Sequence, residues 1–510
     1  MKKILIGRDR LTIEDIAAVS RRQVEVELFR NKHFRERLSA GHQLINDVIK
    51  EDGFIYGVTT GYGDSCGKDV PDGRFDELSI RLVRFHGCGL GRHFNEATTR
   101  AILAVRLTSL AQGYSGVTPE LLESLEGMLK NDILPLIPEE GSVGASGDLT
   151  PLSYVAAVMT GSRNARHEGV VKEASLALED AGLSAYELKP KEGLAIMNGT
   201  AVMTAVACLA FRRAGYLARL ASRLTAMMSL ALGGNAYHFD KRLFDAKPHP
   251  GQGKSAADIL ADLGEISHTG VKPDRIQDPY SIRCAPHVIG VLYDAFPVFR
   301  GMIEIEVNST NDNPIIDPDG GSIFHGGHFY GGHIAFAMDS LKNIVANIAD
   351  LLDRQLAVIV DEKFNRGLPP NLAGSGGDYA LNHGFKAVQI GASAWAAEAL
   401  KNTMPASVFS RSTESHNQDK VSMGTIAARD CIRVLELTEQ IAAACLLATV
   451  QAIDLREAQT GISLVKTNAV NDLRKNIRSV SPFLDEDRPL ESELRTVIAM
   501  ITEEKLDLSV

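Results

Sequence analysis

A mainly α protein is predicted: a bundle of long helices with a smaller, loop-rich N-terminal part. Three observations carry that expectation. Long apolar-rich stretches without proline recur at 200–232, 332–361 and 421–458, and runs of that length in a globular chain pack side by side as a bundle. Strand-like patterns are few and short. The glycine-rich breaks gather at 57–67, 141–147 and 326–332, leaving the long stretches uninterrupted.

Taken in order, 3–7 and 24–28 read as short strands, and 169–172 as a third. The segment 95–112 is rich in alanine and leucine and has neither proline nor glycine, so it reads as helix. Thr118-Pro119-Glu120 is a cap, a first-turn proline and an acid, opening a helix that runs towards Asn131. The stretch 200–232 holds one glycine, Gly215, and is interrupted by Arg212, Arg213, Arg219 and Arg223, which argues against a membrane span. A break near Gly199 divides the chain into an N-terminal part, 1–199, and a helical bundle, 200–510.

With 45% hydrophobic and 23% charged residues, the chain has an ordinary globular make-up. Its net charge of −10 argues against nucleic acid and anionic membranes as partners. No signal-peptide pattern opens it, so the cytoplasm is expected. Cys66, Cys88, Cys208, Cys284, Cys431 and Cys445 are dispersed, with no C-x-x-C pair, and are expected as free thiols rather than disulfides or zinc ligands.

The chemistry concentrates at Gly144-Ala145-Ser146-Gly147-Asp148. Small side chains and glycine let the backbone fold sharply onto itself. If the amide nitrogen of Gly147 meets the carbonyl carbon of Ala145, the tripeptide closes into a ring. Loss of water, including the Ser146 hydroxyl, leaves an alkene conjugated to an imidazolone, a carbon electrophile that no ordinary side chain supplies. The same residues nearly read as a G-x-S-x-G nucleophile elbow, but Asp148 stands where glycine is needed and no strand-like run leads in. They also fit a plain turn before a helix, with Asp148 near its start and Pro151 in its first turn.

Other candidates are ambiguous by themselves. Tyr56 to Gly63 is a tyrosine-bearing glycine loop, and Asn198 reads as a helix cap. Asn311-Asp312-Asn313-Pro314 reads as a turn. His325, His328 and His333 invite a metal, but their loop offers no carboxylate pattern, and none is expected. Gly253-Lys254-Ser255 fails as a phosphate loop, because Pro248 stands where glycine is required.

Several segments, in order, resemble motifs of the aromatic amino acid lyase family. These are Tyr56-Gly57-Val58-Thr59-Thr60-Gly61-Tyr62-Gly63, the Ala-Ser-Gly at 145–147, 193–200, Gln277-Asp278-Pro279-Tyr280-Ser281-Ile282-Arg283-Cys284-Ala285-Pro286, 311–314 with the loop ending in Phe329, and Val421-Ser422-Met423-Gly424. The resemblance implies a fumarase/aspartase-like helical architecture with an N-terminal part bearing the prosthetic group 4-methylidene-imidazol-5-one (MIO). That group would form from Ala145, Ser146 and Gly147 without an external cofactor. It implies Tyr56 as catalytic base, Asn198 contacting MIO and substrate, and Phe329 packing on MIO, with Asn313 in the same site. Arg283 would clamp the substrate carboxylate, with Gln277 and Tyr280 beside it. It also implies a homotetramer with shared sites. A base tyrosine needs nearby positive charge or hydrogen-bond donors to work near neutrality.

Two places bear on the substrate. Histidine-specific members carry Q-E-D-H before V-S-M-G; here the segment is His416-Asn417-Gln418-Asp419-Lys420, and Gln418 removes the carboxylate that would hold an imidazolium. Phe85-His86 occupies the family's selectivity pair but matches neither the Phe-Leu, His-Leu nor Ser-His form. A neutral His86 can meet a phenol hydroxyl. The expectation is ammonia elimination from L-tyrosine to p-coumarate. A tyrosine or phenylalanine 2,3-aminomutase, a histidine ammonia-lyase and a noncatalytic helical scaffold are the alternatives.

Overall fold

The computed structural model describes residues 2–264, 276–374 and 378–509. The chain forms two compact units, one of Met1–Arg212, Phe299–Asp339 and Pro405–Arg429, the other of Arg213–Val298, Ser340–Met404 and Asp430–Val510. The first continuous stretch thus ends at Arg212, beyond the break expected near Gly199, and two later segments rejoin it. The mainly α class is observed, with long helices at Ala201–Leu232, Ala285–Val307, Gly332–Val360 and Gly424–Thr460.

In the first unit, Lys2–Ile6 and Val24–Leu28 pair in parallel across the helix Ile13–Ser20. That helix starts at a reciprocal capping box of Thr12 and Asp15. The helix Pro119–Lys130 begins as expected: Thr118 caps it through the Leu121 N–H, with proline in its first turn. The helix Glu96–Leu110 is buried from Thr99 to Leu110, with Arg100, Arg106, Thr108 and Ser109 buried among its apolar side chains. A short strand, Pro138–Glu140, does lead into the 141–147 turn, pairing with Leu90–His93, contrary to the sequence expectation. Its three residues carry too little pattern to be read in advance.

Two buried cations tie this unit's core. Lys191 caps the helix Glu192–Met197 from a left-handed backbone, φ 70°. Its ammonium, fully buried, pairs with buried Asp312 and donates to the Ser115 carbonyl at 2.6 Å. At the helix's other end, buried Arg106 donates to the carbonyls of Ala195 and Asn198 and to Asn311 Oδ1. Breaking a buried pair strands a charge in low dielectric. Lys191→Met is therefore expected to destabilise the protein by about 3–5 kcal/mol, read as a lowered urea midpoint.

Among the described residues the second unit holds helices and no strand, and arginines cross-link it. Arg213 forms a two-pronged bond to Glu439 (2.9 and 2.7 Å), and Arg223 bonds Asp262 at 2.9 Å. Among the described residues, Ala201–Leu232 is the one helix long and apolar enough to cross a membrane. The protein itself buries 78% of its most apolar window, the setting of a core helix.

Candidate active site

A cavity of about 900 Å³ opens in the first unit, and most of the residues singled out from sequence line it. Tyr56, Phe85, His86, Ala145, Ser146, Gly147, Asn198, Asn313, Phe329 and Gln418 all contribute to its wall. Segments more than 350 residues apart converge there.

The tripeptide lies between two held strands of backbone. Gly147 forms a parallel bridge with Gly199, and the Asp148 amide donates to the Gly199 carbonyl at 2.7 Å. At Gly147 φ is 72°, and a Cβ there would collide with the Gly199 backbone, so only glycine fits. The Ser146 carbonyl accepts from Asn198 Nδ2 at 2.6 Å, and its hydroxyl accepts from Gln418 Nε2 at 3.1 Å. Asn198 Oδ1 accepts from the Asn313 amide at 2.8 Å, joining the turn at 311–314 to the same cluster. Asn198 therefore bridges two site segments, where the sequence alone suggested a cap.

Asp148 is fully buried beside this turn. It leaves its own helix uncapped and instead accepts from the amides of Val202 and Met203 at 3.0 Å, the start of the helix Ala201–Leu232. The Thr425 hydroxyl also donates to it. Burial outweighs these donors and pushes its carboxyl up to about 6.

Tyr56 differs from expectation in its surroundings. Its hydroxyl accepts from the Gly63 amide at 2.8 Å, the one lowering influence. Burial raises its pKa more, and the neighbouring charges of Glu414 and Cys66 add to the rise. Of the two aids expected, positive charge or hydrogen-bond donors, the described residues supply the donor, the Gly63 amide. Glu414 was missed from sequence. It lines the cavity and accepts from the Asp64 amide at 2.9 Å, a partner 350 residues away that no local pattern reveals. Glu414→Gln removes a negative charge beside Tyr56, so the hydroxyl should ionise more easily. The alkaline rise of the pH–rate profile is expected to move to lower pH, and an unmoved profile would contradict the coupling.

His86 caps the helix Phe75–Phe85 at the cavity wall. Its Nδ1 lies 3.3 Å from the Thr150 hydroxyl, and Nε2 has no hydrogen-bond partner among the described residues. Burial, with the charge of Arg163, pushes it down to about 4, so it is neutral at physiological pH.

Gln277, Tyr280 and Arg283 do not line the cavity; they belong to the second unit. Arg283 lies over the Tyr280 ring at 4.5 Å and donates through Nε to the Asp278 carbonyl at 3.1 Å. Its Nη groups have no hydrogen-bond partner among the described residues. Tyr280 is 73% exposed.

The family model for aromatic amino acid lyases matches residues 11–478. The chain belongs to the aromatic amino acid lyase family. A histidine ammonia-lyase of Treponema denticola is 34% identical over 100% of this chain and 98% of its own length. Among solved structures, a tyrosine aminomutase from Streptomyces globisporus superposes with a TM-score of 0.91 at 33% identity, covering 99% of this chain and 97% of that one. A histidine ammonia-lyase from Trypanosoma cruzi gives 0.88 at 30%, covering 99% and 94%.

Membership makes the protein a carbon–nitrogen lyase whose electrophile, MIO, is made by the chain itself with no external cofactor. The residues present fit such a group. Gly147 has the left-handed backbone and the close approach to Gly199 that a sharply folded tripeptide needs, and Asn198 and Gln418 hold the Ser146 oxygens.

Proposed function

We propose that this enzyme eliminates ammonia from an L-aromatic amino acid to give the trans-arylacrylate, with L-tyrosine as its substrate. The observation that carries the choice of ring is the neutral His86 imidazole beside Phe85 on the cavity wall, with Nε2 available to a phenol hydroxyl. Sites built to bond a hydroxyl disfavour analogues lacking it. At the tripeptide the amide Gln418 stands in place of a carboxylate, which does not favour an imidazolium.

MIO supplies an electrophilic carbon for the substrate's amino group. Around it, Tyr56 takes the β-proton, its hydroxyl already oriented by the Gly63 amide. Asn198 and Gln418 hold the tripeptide in register, and Phe329 and Phe85 contribute apolar wall. Arg283 offers a planar fork for the substrate carboxylate.

Arg283, Tyr280 and Gln277 do not line this cavity, and in this reading a second copy of the chain delivers them in a homotetramer. Val291, Val298 and Ile305 support this: they repeat every seven residues along one helix and are 48%, 55% and 60% exposed, an apolar seam suited to another helix. Tyr56→Phe and Arg283→Met, each severely impaired alone, are expected to recover activity when co-expressed. No recovery would mean that each copy builds its whole site. A cytoplasmic location, suited to six free thiols, completes this reading.

Histidine is the second reading, and the relatives named histidine ammonia-lyases favour it. Parallel incubations with L-tyrosine, L-phenylalanine and L-histidine decide between them, followed by near-ultraviolet absorbance and chromatography for β-amino acids. Coumarate supports the tyrosine reading, whereas urocanate replaces it with histidine. β-Tyrosine without coumarate would make the enzyme an aminomutase.

A further inference from the structure

Phe85 and His86 sit where the helix Phe75–Phe85 runs out, and a residue outside the cavity braces them from behind. Arg163 holds a left-handed backbone, φ 62°, which is costly for any residue but glycine. Its guanidinium donates through Nη2 to the Val83 carbonyl at 2.6 Å, in the last turn of that helix. Through Nη1 it donates to Ser153 Oγ at 3.0 Å. The single Ser153 hydroxyl hydrogen is in turn shared between the carbonyls of Thr150 (2.7 Å) and His86 (3.1 Å). The same guanidinium fills the space that a side chain at Gly87 would need and lies 4.3 Å over the Tyr154 ring. Arg163 therefore bonds the backbone just before His86, packs against Gly87 just after it, and reaches the His86 carbonyl through Ser153.

We infer that Arg163 is a positioning residue for the ring end of the site, setting through its guanidinium the place of the His86 imidazole on the cavity wall. The inference rests on the reading that His86 meets the substrate ring. Burial is the larger influence that keeps His86 neutral, and the charge of Arg163 acts in the same direction. Tyr56, Tyr62, Cys66, Glu414, Asp419 and Lys420 are the other ionisable groups lining the cavity. Cys88 and Tyr154 face the guanidinium from its own side.

Arg163→Gly removes the guanidinium while suiting the left-handed backbone, so the turn is kept. Arg163→Lys keeps a positive charge but loses the two-pronged fork. Of the two forms of imidazole diethyl pyrocarbonate acylates only the neutral one, and peptide mass spectrometry reads His86 apart from other modified residues. In the parent, the His86 rate is expected to hold between pH 7 and pH 5. In Arg163→Gly it should fall at pH 5 by roughly two-fold or more as the imidazole begins to charge, with Arg163→Lys between the two. The ratio of kcat/KM for tyrosine over phenylalanine should drop about five-fold or more in Arg163→Gly. A His86 rate as constant in Arg163→Gly as in the parent, or an unchanged ratio, would overturn the inference. A parent that ignores tyrosine, with the modification profile still shifting, would overturn the tyrosine reading and leave the hold of Arg163 on His86 standing.

Discussion

Replacing Ser146 with alanine is expected to lower kcat/KM by at least about 10³-fold, or about 4 kcal/mol of transition-state stabilisation. The Ser146 hydroxyl is what ring formation expels, and alanine has nothing to lose. The fold should survive, since that hydroxyl accepts a single hydrogen bond, from Gln418 at 3.1 Å, and lies on a cavity wall rather than in the core. Two measurements check this together. Intact mass should show the parent lighter than its sequence by two waters, about 36 Da, and Ser146→Ala without that loss. Thermal melts should agree to within a few degrees. Undiminished turnover in Ser146→Ala would remove MIO chemistry from this protein.

Tyr56→Phe should cost about 10²–10⁴-fold in kcat with a much smaller change in KM, as expected for a group that moves a proton in the transition state. The ring stays, so the wall keeps its shape; only the hydroxyl held by the Gly63 amide is removed. The pH dependence has a definite sign. Burial and Glu414 raise the Tyr56 pKa, so below it the tyrosinate fraction grows tenfold per pH unit. The parent's rate should therefore climb through the alkaline range, and Tyr56→Phe should lose that climb. A variant within tenfold of the parent would transfer the base role elsewhere.

How much of this was legible in advance depended on distance along the chain. Thr118-Pro119-Glu120 announced its helix because cap, proline and first-turn acid all act within four residues. The strand Val24–Leu28 carried its own pattern. The tripeptide was legible because its reactivity lies in three adjacent residues. Asn198, read alone, looked like a cap, since its two partners, Ser146 and Asn313, lie 52 and 115 residues away. Glu414 and Arg163 gave no local signal, because a lone acid or arginine is usually a solvated surface residue. Gln277, Tyr280 and Arg283 were legible as a motif, but they do not line the cavity, which no local pattern could tell.

The sequence by itself determined the helical class, the capped start of the helix at Thr118 and the chemical capacity of Ala145-Ser146-Gly147, all of which depend on covalent neighbours. Only the tertiary structure decided which groups share a cavity and which charges persist there. His86 is neutral because burial and Arg163 make it so, Tyr56 is hard to ionise because it is buried with Glu414 beside it, and Lys191 keeps its partner because both are sealed from water. Desolvation and long-range charge arise only when distant segments close over one another.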